Sequence, residues 1–380
     1  MKLQSQLLIN LNRVTADKPV ALRSVNGPQA TTIDGGGQSV RCAYLINNAS
    51  LSGFTLTNGN GAYGGTLTNC ALTGNVSVAA YNCTLDNCTL SGNGAGAYGC
   101  RLNNCALTGN SGAGAYASTL NHCTLSGNGA GGYSSTLNNC IAYFNRSLNY
   151  DSASSLNYCC TTPLPANGIG NISADPQLAS LSHLSGGSPC RGAGSATYTS
   201  GTDIDGEAWI SPPSMGCDEY HTGTVTGPLS ADITATFTNV VVGFEVGLTA
   251  LIQGRTTVSF WSFGDGTIAI DSPYTAHAWA TPGDYPVALW GFNESHPGGV
   301  MAAPPLLGPP APAGGDQPAP PPEPPLISAV HPAATNAAAS STEKLHRVLN
   351  VVAFMYRVPV GARGCPRVSG RQGRAWRSEP

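Results

Sequence analysis

Leu102-Asn103-Asn104-Cys105-Ala106-Leu107-Thr108-Gly109-Asn110 is written again 18 residues later as Leu120-Asn121-His122-Cys123-Thr124-Leu125-Ser126-Gly127-Asn128. Between Leu51 and Tyr158 the pattern returns every 16 to 19 residues. Leu67, Leu85, Leu102, Leu120 and Leu137 are spaced 18, 17, 18 and 17, and three residues after each comes Cys70, Cys88, Cys105, Cys123 or Cys140. Leu51 with Phe54 opens the series, and Leu156 with Cys159 closes it. A second leucine column (Leu56, Leu72, Leu90, Leu107, Leu125) lies two residues further on, and Tyr63, Tyr81, Tyr98, Tyr116 and Tyr133 stand upstream.

A helical repeat needs two helices and about thirty residues, so a period this short, rich in Gly, Asn, Ser and Thr, fits one coil of short strands and turns. Tyr, then Cys83, Cys100, Ser118 or Ser135, then Leu fall two apart, which assigns all three to one strand face, expected to point inward. The spacing of three between Leu67 and Cys70 marks a corner, and the Gly-Asn pairs at Gly74-Asn75, Gly92-Asn93 and Gly109-Asn110 mark another. Asparagine tolerates left-handed backbone angles there, and Asn75, Asn93, Asn110, Asn128 and Asn145 are expected to bond from coil to coil.

With 380 residues the chain has room for two or three domains. Charged residues make up 10% and the net charge is −3, which argues against nucleic acid as a partner. No run of about 20 apolar residues suits a transmembrane span. Gln4, Ser5, Gln6 and Asn10 interrupt the opening leucines, so this segment reads as a strand rather than a signal peptide. The chain is expected to begin inside a longer product that carries the export signal. Most of the 13 cysteines fall in the repeat columns, where coil neighbours stand about 4.8 Å apart, too far for disulfides. They read as buried free thiols, while a Cys190–Cys217 bridge stays open.

Arg13 to Pro28, then Thr32-Ile33-Asp34-Gly35, together with Leu51 to Gly59, resemble the opening of right-handed parallel β-helix proteins of the pectate-lyase-like superfamily. The rungs are similar to those of repeat-rich bacterial surface proteins in that group. So is the exit, Asn171 to Pro176, Gly187-Ser188-Pro189-Cys190, Asp203-Ile204-Asp205-Gly206 and Gly216-Cys217-Asp218-Glu219-Tyr220. Further on, Trp261-Ser262-Phe263-Gly264-Asp265-Gly266-Thr267, His277-Ala278-Trp279 and Pro282-Gly283-Asp284-Tyr285 resemble the polycystic-kidney-disease-type (PKD) β-sandwich. Val258 and Phe260, with Tyr285, Val287 and Leu289, are expected to face its core. A turn at His296-Pro297-Gly298-Gly299 leads into Met301-Ala302-Ala303-Pro304-Pro305, where the family has its last strand.

The expected fold is all-β: a right-handed parallel β-helix with an irregular C-terminal cap over residues 1–222, then a PKD-type Ig-like β-sandwich lacking its last strand over 223–299. Residues 300–380 read as a Pro/Ala-rich linker and basic tail, mostly disordered. Within the tail Ser340 and Glu343 would form a capping box for a short helix with Leu345, Val348, Leu349 and Val352 on one face. Arg357 to Arg377 then make an anionic-surface anchor or an out-of-frame extension.

Polysaccharide-cleaving enzymes on parallel β-helices need carboxylates gathered on one face, as pairs or around calcium. From Ala43 to Tyr150 there is one acid, Asp86, with Arg101 and Arg146. Asp86 reads as a solvated corner residue, and catalytic residues are expected to be absent. Asp203, Asp205, Glu207, Asp218 and Glu219 concentrate later, where the Asp-x-Asp-Gly stretch reads as a plain turn more than a calcium loop. The seven histidines cluster with nothing, so no metal and no cofactor is expected. His122 reads as a hydrogen-bonding substitute in the column of Asn69, Asn87, Asn104 and Asn139. Gly94 to Gly99 fits GxGxxG formally but lacks the following helix a dinucleotide fold requires.

The candidate binding residues are Tyr63, Tyr81, Tyr98, Tyr116 and Tyr133, which, if exposed, would offer a stacking strip for sugar rings. Their parity with leucine points instead to a core or coil-edge role. The resemblances imply a monomeric, non-enzymatic extracellular or cell-surface structural or adhesion protein, with a polysaccharide or surface glycan as partner. A polysaccharide-degrading enzyme, its carbohydrate-binding accessory part, or an inert truncated fragment are the alternatives.

Overall fold

Three left-handed residues per coil bend this chain into a triangular solenoid. In the coil from Ala95 to Asn110, strands Ala95–Tyr98, Arg101–Asn103 and Ala106–Thr108 are separated by Gly99, Asn104 and Gly109, with φ of +63°, +54° and +62°. The computed structural model describes residues 12–37, 40–223, 225–302 and 306–307. The readings of the opening segment and of the tail beyond Leu307 lie outside these residues.

Like strands of successive coils pair in parallel, giving one seven-stranded and two eight-stranded sheets. The register is the sequence repeat itself: Leu85 pairs with Leu67 and Leu102, and Leu90 with Leu72 and Leu107. Leu67, Leu72, Leu85, Leu90, Leu102, Leu107, Leu120 and Leu125 are fully buried. Each contributes about 1.5–3 kcal/mol. Asn12–Ala16, Ala21–Arg23 and Thr32–Asp34 form the first described coil, so the opening rungs obey the same pattern.

The asparagine ladder is present, with one correction. Glycine takes the left-handed angle at that corner (Gly74, Gly92, Gly109, Gly127), and the asparagine after it turns inward. Asn93 Nδ2 donates to Leu72 O at 2.9 Å and to Asn110 Oδ1 at 2.9 Å, and Asn110 Oδ1 also accepts from Asn93 N at 3.0 Å. Asn75, Asn110 and Asn128 repeat this bonding, so each amide satisfies backbone groups of the coil before it and donates to the asparagine of the next. Asp86 is corrected too: it ends the strand Thr84–Asp86 and accepts Asn103 Nδ2 at 2.8 Å, continuing an outer ladder through Asn121, Asn138 and Asn157.

All twelve described cysteines are buried and free, Cys190 and Cys217 included. They do more than fill space. Cys83 N donates to Cys100 Sγ at 3.3 Å, Cys100 N to Ser118 Oγ at 3.1 Å, and Ser118 N to Ser135 Oγ at 3.1 Å. The column therefore selects a small side chain that accepts from the previous coil, and thiol and hydroxyl interchange.

After the last coil the chain runs back along one corner. Ser195 exchanges two 2.8 Å bonds with Asn139, Thr199 Oγ1 meets His122 Nε2 at 2.9 Å, and Ser200 O accepts from Asn104 Nδ2 at 3.1 Å. Thr202 and Asp203 reach Asn87. The corner asparagines, left-handed at φ of +51° to +54°, thus hold the returning segment.

The second domain is antiparallel. Ser230–Ala235, Val246–Gln253 and Tyr274–His277 form one sheet; Ile268–Ile270, Val258–Ser262, Ala288–Asn293 and His296–Ala302 form the other. Val246, Leu248, Trp261, Phe263, Trp279, Val287 and Leu289 make the core. Trp261, not Phe260, faces it; Phe260 meets Trp290 instead, centroids 5.5 Å apart. The strand expected to be missing is there: His296–Ala302 pairs with Ala288–Asn293 beyond a turn at Glu294-Ser295, with a register shift near Gly291 and Asn293. Pro297 sits in this edge strand, where an absent N–H is tolerated.

Candidate binding surface

The tyrosine column lies on the outside of the solenoid. Tyr81, Tyr98, Tyr116 and Tyr133 are 37–40% exposed, against the inward orientation expected from their parity with leucine. The reason is local. Asn82, Gly99, Ala117 and Ser134, between Tyr and the Cys/Ser column, have φ of +48° to +63°, so no continuous strand joins the two and the alternation restarts.

The rings form one stack. Tyr44, Tyr63, Tyr81, Tyr98, Tyr116 and Tyr133 follow at centroid steps of 4.9–5.5 Å with planes 2–13° apart. Tyr44 was not legible as a member, because Asn47 and Asn48, both left-handed, lengthen its coil and shift its spacing from leucine. Arg41 flanks the first two rings, its guanidinium 5.1 Å from the Tyr63 centroid and 5.9 Å from that of Tyr44. At the other end the following coil places Tyr150 opposite Gly132, and Asp151 accepts from Ser134 N at 2.8 Å. Ring faces inside the stack are covered by neighbouring rings, leaving edges and hydroxyls toward solvent.

His122 is fully buried, 2.7 Å from Asn139 Nδ2 and 3.9 Å (centroid to centroid) from Trp209. Burial lowers its pKa to about 4, so it is neutral and structural. Burial likewise raises the thiol pKa of Cys88, Cys123 and Cys159.

The histidine reading needs a correction at His183. His183, Asp205 and Asp218 bring one donor atom each within 4.8 Å of one another. Nε2 of His183 lies 3.1 Å from Asp205 Oδ2, and Arg255 of the second domain places Nε 3.3 Å from the same oxygen and Nη2 against Glu207. Asp203, fully buried, accepts from Asp205 N at 3.0 Å, Glu207 N at 2.7 Å and Glu219 N at 3.1 Å, so the Asp-x-Asp-Gly stretch is a turn folded around its own carboxylate. Arg255 supplies the cation for this group, which makes it an ion-paired seam between cap and second domain. The concentration of acids was legible in the sequence, but His183 and Arg255 were not, since they come from other segments of the chain.

A solenoid of stacked parallel coils followed by an antiparallel sandwich defines the class: a parallel β-helix joined to an Ig-like module. Residues 230–295 match the family model described as PKD domain, which fixes the identity of that module. No curated protein matches the chain. Among the described residues no helix is long and apolar enough to cross a membrane.

Proposed function

We propose that this chain is a non-enzymatic structural or adhesion protein of the extracellular space or cell surface, and that the outer face of its solenoid contacts glycans. The observation that carries this reading is the chemistry of the coils. Asp86 is the only carboxylate between Ala43 and Tyr150, and its oxygen is held by Asn103. Glycoside cleavage needs a second carboxyl group at a fixed separation, and calcium-assisted cleavage needs several oxygen donors. What the coils offer is length, satisfied internal ladders and an exposed aromatic column, the properties of a stiff spacer with a contact face. The PKD match supports an extracellular setting. Incubation of the chain with pectin, alginate and chitin should release no reducing or unsaturated ends; release that persists through repurification would overturn the reading, and its loss in Asp86→Asn would place the activity on the coils.

A further inference from the structure

We propose that the tyrosine column binds a neutral, linear polysaccharide laid along the solenoid axis, edge-on, through its row of phenol hydroxyls rather than by ring-on-ring stacking. This rests on the glycan-contact reading above and deepens it. Tyr63, Tyr81, Tyr98 and Tyr116 each have a tyrosine against both faces, so a sugar ring has no aromatic face to lie on. Their hydroxyls have no protein hydrogen-bond partner among the described residues, while nearly every interior polar group of the same coils is paired.

Spacing and charge narrow the ligand. The ring step of 4.9–5.5 Å is close to the length of one pyranose unit, so successive sugars of an extended chain meet successive hydroxyls in step. An extended peptide, advancing about 3.3 Å per residue, falls out of step. From Tyr81 to Tyr133 the strands that carry the rings begin at Val78, Ala95, Ala113 and Ala130 and the turns after them are Asn82, Gly99, Ala117 and Ser134, all uncharged and mostly small, while Arg41 flanks the first two rings. A polymer can approach closely, and among the described residues Arg41 is the one cation against these rings, which makes no row to hold a polyanion. Because each hydroxyl adds one weak bond, affinity grows with the number of sugars engaged.

The test is binding of the full chain to cellulose, xylan, mannan, chitin and β-1,3-glucan by pull-down, followed by calorimetry with two- and six-sugar oligomers of whichever polymer binds. The combined variant Tyr81→Phe, Tyr98→Phe, Tyr116→Phe keeps the stack and removes three hydroxyls; an unchanged thermal midpoint checks the fold. The expected result is binding to at least one neutral polymer, at least tenfold tighter for six sugars than for two, and at least tenfold weaker in the variant. Wild-type binding undiminished in the variant overturns the hydroxyl comb and leaves glycan contact standing. Binding to none of the five polymers overturns both.

Discussion

Tyr274 of the PKD module lies directly over Gly127 of the solenoid: a β-carbon on Gly127 would fall 2.2 Å from the Tyr274 hydroxyl oxygen. That hydroxyl is 3.4 Å from Ser126 Oγ, and the ring packs 5.6 Å from Phe144. Together with Arg255 on Asp205 and Glu207, this docks the module at two places, one on the coils and one on the cap.

Gly127→Ala and Gly92→Ala separate docking from backbone strain. Both glycines are left-handed, at φ of +65° and +64°, but a β-carbon on Gly92 meets nothing within 4 Å. Gly92→Ala should cost about 1–2 kcal/mol from conformation alone. Gly127→Ala should cost more and should speed proteolysis of the connector between Tyr220 and Gly227. Equal losses and equal cleavage rates would mean that Tyr274 contributes nothing to docking.

The inner asparagine ladder should matter far more than the outer one. Asn110→Ala strips partners from the buried Asn93 N–H and Leu90 carbonyl, at roughly 1–3 kcal/mol for each group. Asn103→Ala, in the half-exposed outer ladder, should cost under about 1 kcal/mol, because water replaces the lost bonds. Urea unfolding of both variants checks the contrast, and comparable losses would place the stabilising bonds elsewhere.

Much of the solenoid was legible because every coil restates it: leucine register, corner spacing and the asparagine stack all recur in the sequence and in the structure. The tyrosine orientation was not, because it hinges on a left-handed residue that is Asn82 or Gly99 in two coils but Ala117 and Ser134 in others, types that seldom signal such angles. The Phe260 and Trp261 assignment failed for another reason. Both faces of that strand carry aromatics, so alternation alone does not say which is the core. The contact between solenoid and PKD module unites Ser126 and Tyr274, 148 positions apart, and no local pattern encodes such a meeting.

Cys100→Ser should be nearly silent, and Cys100→Ala should not. The hydroxyl can accept from Cys83 N–H and donate to Tyr98 O as the thiol does, just as Ser118 does one coil later. The expected change for serine is within about 1 kcal/mol, whereas alanine leaves the buried Cys83 N–H unpaired, at roughly 1–3 kcal/mol. If both variants unfold at the same urea concentration, the column is held by packing and not by its acceptor.

Stability should fall as pH rises from 6 toward 8.5, below the range in which the buried thiols lose their advantage, and His183 should be the main cause. Burial acts to lower the His183 pKa, but its hydrogen bond to Asp205 and the charges of Asp218, Asp205 and Asp203 outweigh it and lift the value to about 9. A folded-state pKa above the ordinary 6.5 means the stabilising contribution is complete below about pH 6.5 and is lost as pH climbs through 9. Asp218 acts in the same direction at lower pH: burial raises it from 3.8 to about 7, so the fold favours its neutral form, an advantage complete below 3.8 and lost by the time pH has climbed through 7. Asp205, held below the usual carboxylate range despite its burial by His183 and Arg255, does the opposite and weakens the fold only under acid conditions, as pH drops below about 4. His183→Gln keeps a polar side chain of similar length and removes the titrating charge. The wild-type urea midpoint should therefore drop between pH 6 and 8.5, with a clearly smaller drop in His183→Gln; identical pH profiles would show that the seam does not couple protonation to folding.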